Sequence, residues 1–188
     1  VPLAPDRTCG TCDLCCTVLQ IDELDKPSGK PCQNLLASGG GCGVWGRHPQ
    51  VCKAYACLWR ASDSLLPEDL FPKACGFLLS LPQAQVWPAM VILAPDPAAP
   101  DAWNRPAPIA FLLRLSAAWN CAIGVVAAAE GQGMRLTHAL TPMGGLYDHH
   151  AHPQVFPGDG ASLSLSSDDY GPDRRPPYER MAEVQFRG

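Results

Sequence analysis

The chain has 188 residues, 47% of them apolar, with 14 basic and 18 acidic residues and a formal net charge of −4, which suits one domain or a small module joined to a medium one. The charge is uneven: residues 1–60 hold six Lys/Arg against five Asp/Glu (+1), and the remainder eight against thirteen (−5). No basic stripe that would neutralise phosphates is present, so a nucleic-acid partner is not expected.

Cysteine dominates the first segment. Eight of the ten cysteines lie between Cys9 and Cys57, in a stretch rich in Gly and Pro that includes Ser38-Gly39-Gly40-Gly41. Such a segment buries too little apolar surface to order itself, so its order is expected to come from the cysteines. The string Cys9-Gly-Thr-Cys12-Asp-Leu-Cys15-Cys16 overlaps two Cys-x-x-Cys units, and Cys32, Cys42, Cys52 and Cys57 follow. A two-residue spacer lets two thiolates turn inward together, and soft thiolates at this density suit zinc or an iron–sulfur cluster rather than calcium or magnesium. Three readings stand side by side: a disulfide framework, two structural four-sulfur zinc sites, or an iron–sulfur cluster held by Cys9, Cys12, Cys15 and one remote cysteine. The absence of a signal-peptide pattern at the start of the chain and the tight overlap weigh against disulfides. Three sulfurs from one loop tilt the choice towards iron–sulfur. Neighbouring side chains diverge, so Cys15 and Cys16 are expected to serve two sites, or one of them to be a spare.

Residues 9–60 resemble the CxxCxxCC family of bacterial proteins, the YkgJ-type cysteine-cluster proteins, described as zinc- or iron-chelating domains. The resemblance rests on Cys9, Cys12, Cys15 and Cys16, then Pro31-Cys32 and Gly41-Cys42-Gly43, then Pro49, Cys52, Tyr55, Cys57 and Trp59. All eight family cysteines have counterparts here. One departure is His48, where the family has Arg before Pro49; Arg47 sits one place earlier. The resemblance implies metal chelation by these eight cysteines and little else.

Beyond Cys57 the pattern changes. Gly76–Leu81 and Val86–Leu93 read as strands with Pro82-Gln83 as a turn between them, and Pro88 marks an edge strand or bulge. Asp96–Pro108 reads as a loop. Ala107–Trp119 places Ile109, Leu112, Leu113 and Leu115 at helical spacing, which predicts a helix packed on a sheet. Cys121–Ala129 reads as a buried strand, Gly131-Gln132-Gly133 as a hairpin turn and Met134–Leu140 as its partner. The apolar stretch 110–129 is long enough to suggest a membrane span, but Arg114 and Asn120 interrupt it, and a buried helix running into a strand explains it. The expected fold is α+β: a loop-rich cysteine module over 1–62 beside a small, mainly antiparallel sheet with one or two helices over 63–161, then an extended or mobile tail over 162–188.

Outside the cysteine segment, the string Asp148-His149-His150-Ala151-His152 is a candidate open metal site, against its reading as an exposed polar loop. His48 and His138 read as structural residues, and Cys75 and Cys121 as buried thiols. Tyr55 and Trp59 are expected to pack over the metal site. No P-loop, dinucleotide-binding glycine fingerprint, His-Glu-x-x-His or nucleophile elbow is present, so no catalytic residue is assigned. The resulting expectation is a metal-binding protein with a redox, sensing or structural role, no membrane partner and a cytoplasmic location. The alternatives are a metal-dependent enzyme with a reaction centre near Asp148–His152 and a zinc-ribbon-like module that binds a protein partner.

Overall fold

The structure is a computed structural model that describes residues 3–37, 40–61, 65–81, 90–129 and 134–148. Among these residues, five α-helices and five strands follow in chain order, beside three short 3-10 turns: α1 (Leu14–Val18), α2 (Gln50–Ala54), α3 (Leu58–Ala61), α4 (Pro72–Cys75), β1 (Phe77–Ser80), β2 (Met90–Pro95), α5 (Pro106–Trp119), β3 (Ala122–Ala128), β4 (Met134–Leu140) and β5 (Leu146–Asp148). The strands form one sheet in the order β1-β2-β3-β4-β5, and the class is α+β. By its contacts the chain divides into two compact units: one of 1–80, 94–103 and 127–134, and one of 81–93, 104–126 and 135–188.

The first unit is organised around β1. All four of its residues are buried, so the strand is covered on both faces. Helices α1, α3 and α4 pack against it. Each of these helices has only four or five residues, too short to hold together alone, so packing rather than propensity maintains them. In α1, Leu14 and Val18 are buried one turn apart, which turns Cys15 and Cys16 away from that anchoring stripe. Leu58 does the same for α3, immediately after Cys57.

The second unit contains the longest element, α5. Pro106 occupies its first turn, where the missing N–H costs nothing, and Asn120 closes it in a left-handed conformation at φ 46°. Leu112, Leu115, Ser116 and Trp119 are buried. The Ser116 hydroxyl donates to the Cys121 carbonyl at 2.6 Å and the Cys121 N–H to the Ser116 carbonyl at 3.1 Å. These two bonds fix the step from helix to strand.

The helix and strand expected over 107–129 are therefore both present, and among the described residues no helix is long and apolar enough to cross a membrane. Helix α5 also explains a feature of the pairing. β2 and β3 run parallel, with Met90 opposite Ala122 and Leu93 opposite Val125, while β4 and β5 are antiparallel. Within a sheet expected to be mainly antiparallel, the parallel pair is the addition. A helical crossover carries the chain back to the starting end of the sheet, which parallel pairing requires. β5 and the short helices α1–α4 are likewise additions. The Pro82-Gln83 and Gly131–Gly133 turns, Pro88 and the tail over 162–188 lie outside the described residues.

Gly124 sits at the middle of β3 because its neighbours leave no room. A Cβ there would stand 2.2 Å from the Met90 sulfur and 2.8 Å from Leu136 Cδ1. Gly124→Val is accordingly expected to destabilise the protein by about 1–3 kcal/mol through overpacking, read as a lowered urea midpoint at unchanged m-value; an unchanged midpoint would contradict this packing.

Candidate metal centre

The eight cysteines are carried by turns, by α1, by the middle of α2 and by the residue before α3. The Cys12 N–H donates to the Cys9 carbonyl at 2.7 Å, which closes the first Cys-x-x-Cys into a tight turn. Cys15 and Cys16 follow on α1 with their sulfurs 4.0 Å apart. The Cys32 N–H donates to the Cys16 carbonyl at 3.0 Å, and Leu35 bridges to Cys42. This loop also reaches the first turn: a Cβ on Gly40 would lie 2.5 Å from the Thr11 carbonyl oxygen, an approach only glycine permits. Cys52 sits in α2, whose Gln50 and Val51 N–H groups donate to the Glu23 carboxylate at 3.2 and 3.0 Å. Cys57 immediately precedes α3.

None of the ten cysteines is joined in a disulfide. The sulfurs are grouped without being closed into a ligand set: among the described residues, no three Cys, His, Asp or Glu side chains are placed to hold one ion.

Electrostatics nevertheless link the thiols. Burial, reinforced by neighbouring thiols, pushes Cys9, Cys12 and Cys52 above their usual range and Cys57 up to about 11. Cys15 and Cys16 act as a pair. The contact between them holds Cys15 protonated, with burial adding to the effect, while the same contact and the Lys26 ammonium lower Cys16 to about 7 against the opposing effect of burial. The contact therefore favours ionisation of Cys16 over Cys15.

Two buried cations hold the segment, and neither was singled out in the sequence. Arg7 is buried. It donates to the Trp59 carbonyl at 3.0 Å and the Leu66 carbonyl at 2.6 Å, and its guanidinium lies 4.7 Å from the centre of the Trp59 ring. Lys26 is buried too, with its ammonium donating to the carbonyls of Thr17 and Pro27 at 3.0 Å and to that of Leu19. Its pKa is lowered by burial, against the opposing charges of Cys32, Cys16, Cys15 and Cys52. A single lysine or arginine in a polar stretch carries no periodic signal, so neither role is legible in the sequence.

Tyr55 and Trp59 lie where the thiols are. The Tyr55 hydroxyl is buried, close to Ser80 but outside hydrogen-bonding geometry. Burial raises its pKa, and the nearby charges of Cys57, Cys15 and Cys12 raise it further. Trp59 packs edge-on to Phe71 at 4.9 Å, and its indole N–H is also buried without a partner.

His48 accepts a hydrogen bond from the Gly46 N–H at 3.1 Å and stacks on Trp45, a structural role in its loop. Cys75 and Cys121 are buried; the Cys75 thiol reaches the Phe77 carbonyl at 3.1 Å. His138 pairs across the sheet with Asp148, the last residue of β5. His149, His150 and His152 lie outside the described residues.

No protein-family model matches the chain, and neither the curated proteins nor the solved structures contain a match. The resemblance to the cysteine-cluster family thus rests on the eight cysteines and the residues around them.

Two outcomes are expected. Lys26→Met leaves three carbonyls without their donor and should cost about 1–3 kcal/mol in urea unfolding; a neutral change would show that the buried ammonium is not anchoring the loop. Limiting iodoacetamide, applied after chelation at neutral pH, should label Cys16 ahead of Cys15, and this labelling should fade as the pH falls below about 7. Equal labelling, followed by mass spectrometry, would contradict the pairing of these two thiols.

Proposed function

We propose that residues 9–57 form a thiolate metal-binding module that holds an iron–sulfur cluster or zinc, in a redox, sensing or structural role. The donor set supports the reading: eight cysteines, none in a disulfide, within one compact segment. The observation that carries it is the Tyr55 hydroxyl, buried with no well-formed hydrogen bond and near Cys57, Cys15 and Cys12. A buried donor left unmatched costs about 1–3 kcal/mol, and a metal-bound thiolate or a cluster sulfide is an acceptor that satisfies it. Hydrogen bonds to such sulfurs also tune cluster potential and zinc stability.

The bound group would supply electron transfer if it is a cluster, or a fixed tetrahedral cross-link if it is zinc. The protein's own residues do the rest. Arg7 and Arg60 hold the ends of the segment together, Lys26 offsets thiolate charge, and Tyr55 and Trp59 limit solvent access. A cytoplasmic location accords with this reading, because cysteines stay reduced there.

The test is an ultraviolet–visible spectrum with elemental analysis on protein purified without oxygen. A broad band near ~400 nm with iron and sulfide marks a cluster; a colourless protein containing zinc marks a structural site. Protein with neither metal overturns the proposal. Uptake of zinc by chelated protein should also release protons, about one for each protonated thiol engaged, because burial keeps most of these thiols protonated at neutral pH. Uptake without proton release, measured with a pH indicator in weak buffer, would show that the thiols are not the ligands.

A further inference from the structure

We propose that the eight cysteines form two four-thiolate metal sites side by side, one from Cys9, Cys12, Cys15 and Cys57, the other from Cys16, Cys32, Cys42 and Cys52. This deepens the proposed metal-binding function and rests on it. The backbone makes the division. In the first set, the tight turn at Cys9–Cys12 leads into α1 and Cys15. Cys57, distant in sequence, is brought to the same place because the residues before Cys9 are tied to the residues after Cys57. The Ala4 N–H donates to the Arg60 carbonyl at 3.2 Å, the Arg60 guanidinium to the Ala4 carbonyl at 2.8 Å, and Arg7 to the Trp59 carbonyl at 3.0 Å.

In the second set, Cys32 is bonded to the backbone of Cys16, the Leu35 N–H returns to the Cys32 carbonyl at 3.1 Å, and Leu35 bridges to Cys42. Glu23 clamps the start of α2 and so brings Cys52 to this loop.

The mutual influence of the thiols agrees with this division for Cys57 and Cys52, while Cys16 interacts most strongly with Cys15 of the other set. Cys57 feels the charges of Cys9 and Cys12, and Cys15 those of Cys12 and Cys9. Cys52 feels Cys16, Cys32 and Cys42. Links between the sets run through Cys16, which touches Cys15 and is felt by Cys9, as expected where two sites abut. Arg60 acts on Cys9 of the first set, and Lys26 acts on Cys32, Cys16 and Cys52 of the second and also on Cys15, where the two sets abut. Adjacent residues on a helix point about 100° apart, so Cys15 and Cys16 are suited to serve one site each. Closing either set onto an ion requires its sulfurs to draw together, since among the described residues no three such side chains are placed to hold one.

The test compares paired serine replacements in the full chain, with metal counted per chain and cobalt(II) titrated into the chelated protein. Wild type should hold two centres and saturate at two cobalt ions, with four-thiolate absorption throughout. Cys9→Ser with Cys57→Ser, both in one set, should retain one centre, as should Cys42→Ser with Cys52→Ser. Cys57→Ser with Cys52→Ser, one from each set, should retain none. If a variant fails to fold by circular dichroism, the wild-type cobalt titration still decides. Saturation at one ion, or loss of both centres on removing cysteines of one set from a folded protein, overturns the division while leaving metal binding in place. Wild-type protein that binds neither its native metal nor cobalt overturns the metal-binding reading itself, and the division with it.

Discussion

Cys9 and Cys57 belong to opposite ends of a long loop-rich segment, and everything at the candidate centre depends on those ends meeting. Arg60 reaches back to Ala4, and Arg7 reaches forward to Trp59 and Leu66. Arg7 does so from the interior, with its charge resting on the Trp59 ring. A buried guanidinium is tolerated only where carbonyls and an aromatic face replace its water, and this site provides both. The closure is seated on β1, whose four residues are all buried and against which α1 and α3 pack. The cysteines thus hang from a small apolar platform through helices too short to stand alone.

Such an arrangement leaves a characteristic deficit. Apolar anchoring in the cysteine segment is confined to a few residues such as Leu14, Val18, Ile21 and Leu58, while polar backbone and thiols fill the rest. Lys26 meets part of the deficit by donating to three carbonyls at once. Tyr55 and Trp59 leave part of it open, with buried donors that make no well-formed hydrogen bond. A soft metal held by thiolates would address both sides: it cross-links the loops and turns neighbouring sulfurs into acceptors.

How much of this can be read from the residues depends on scale. Helix α5, β3 and β4 are legible because their apolar residues repeat over seven to fourteen positions, although the helix begins at Pro106, inside the stretch read as a loop. The parallel pairing of β2 and β3 is not, since strand patterns alone do not reveal direction; it follows only once α5 is recognised as a crossover. Helices of four or five residues in a Gly- and Pro-rich stretch give no periodic signal. Among the site residues, the eight cysteines announce themselves by spacing, whereas the contact of the Cys15 and Cys16 sulfurs at 4.0 Å does not follow from adjacency, which suggests that they diverge. Arg7 and Lys26 do not announce themselves, because a buried cation is defined by the carbonyls around it, which come from residues distant in the chain or hidden in turns. In the second unit, Asp148 is legible as part of a histidine-rich string, but its position across from His138 is a product of the β4–β5 register.

The central claim is that thiolates of this segment hold a soft metal, and the most direct measurement is X-ray absorption at the zinc and iron edges of protein purified without oxygen. A first shell of about four sulfurs near ~2.3 Å is expected. A first shell of nitrogen and oxygen, or an absence of metal at both edges, would contradict it.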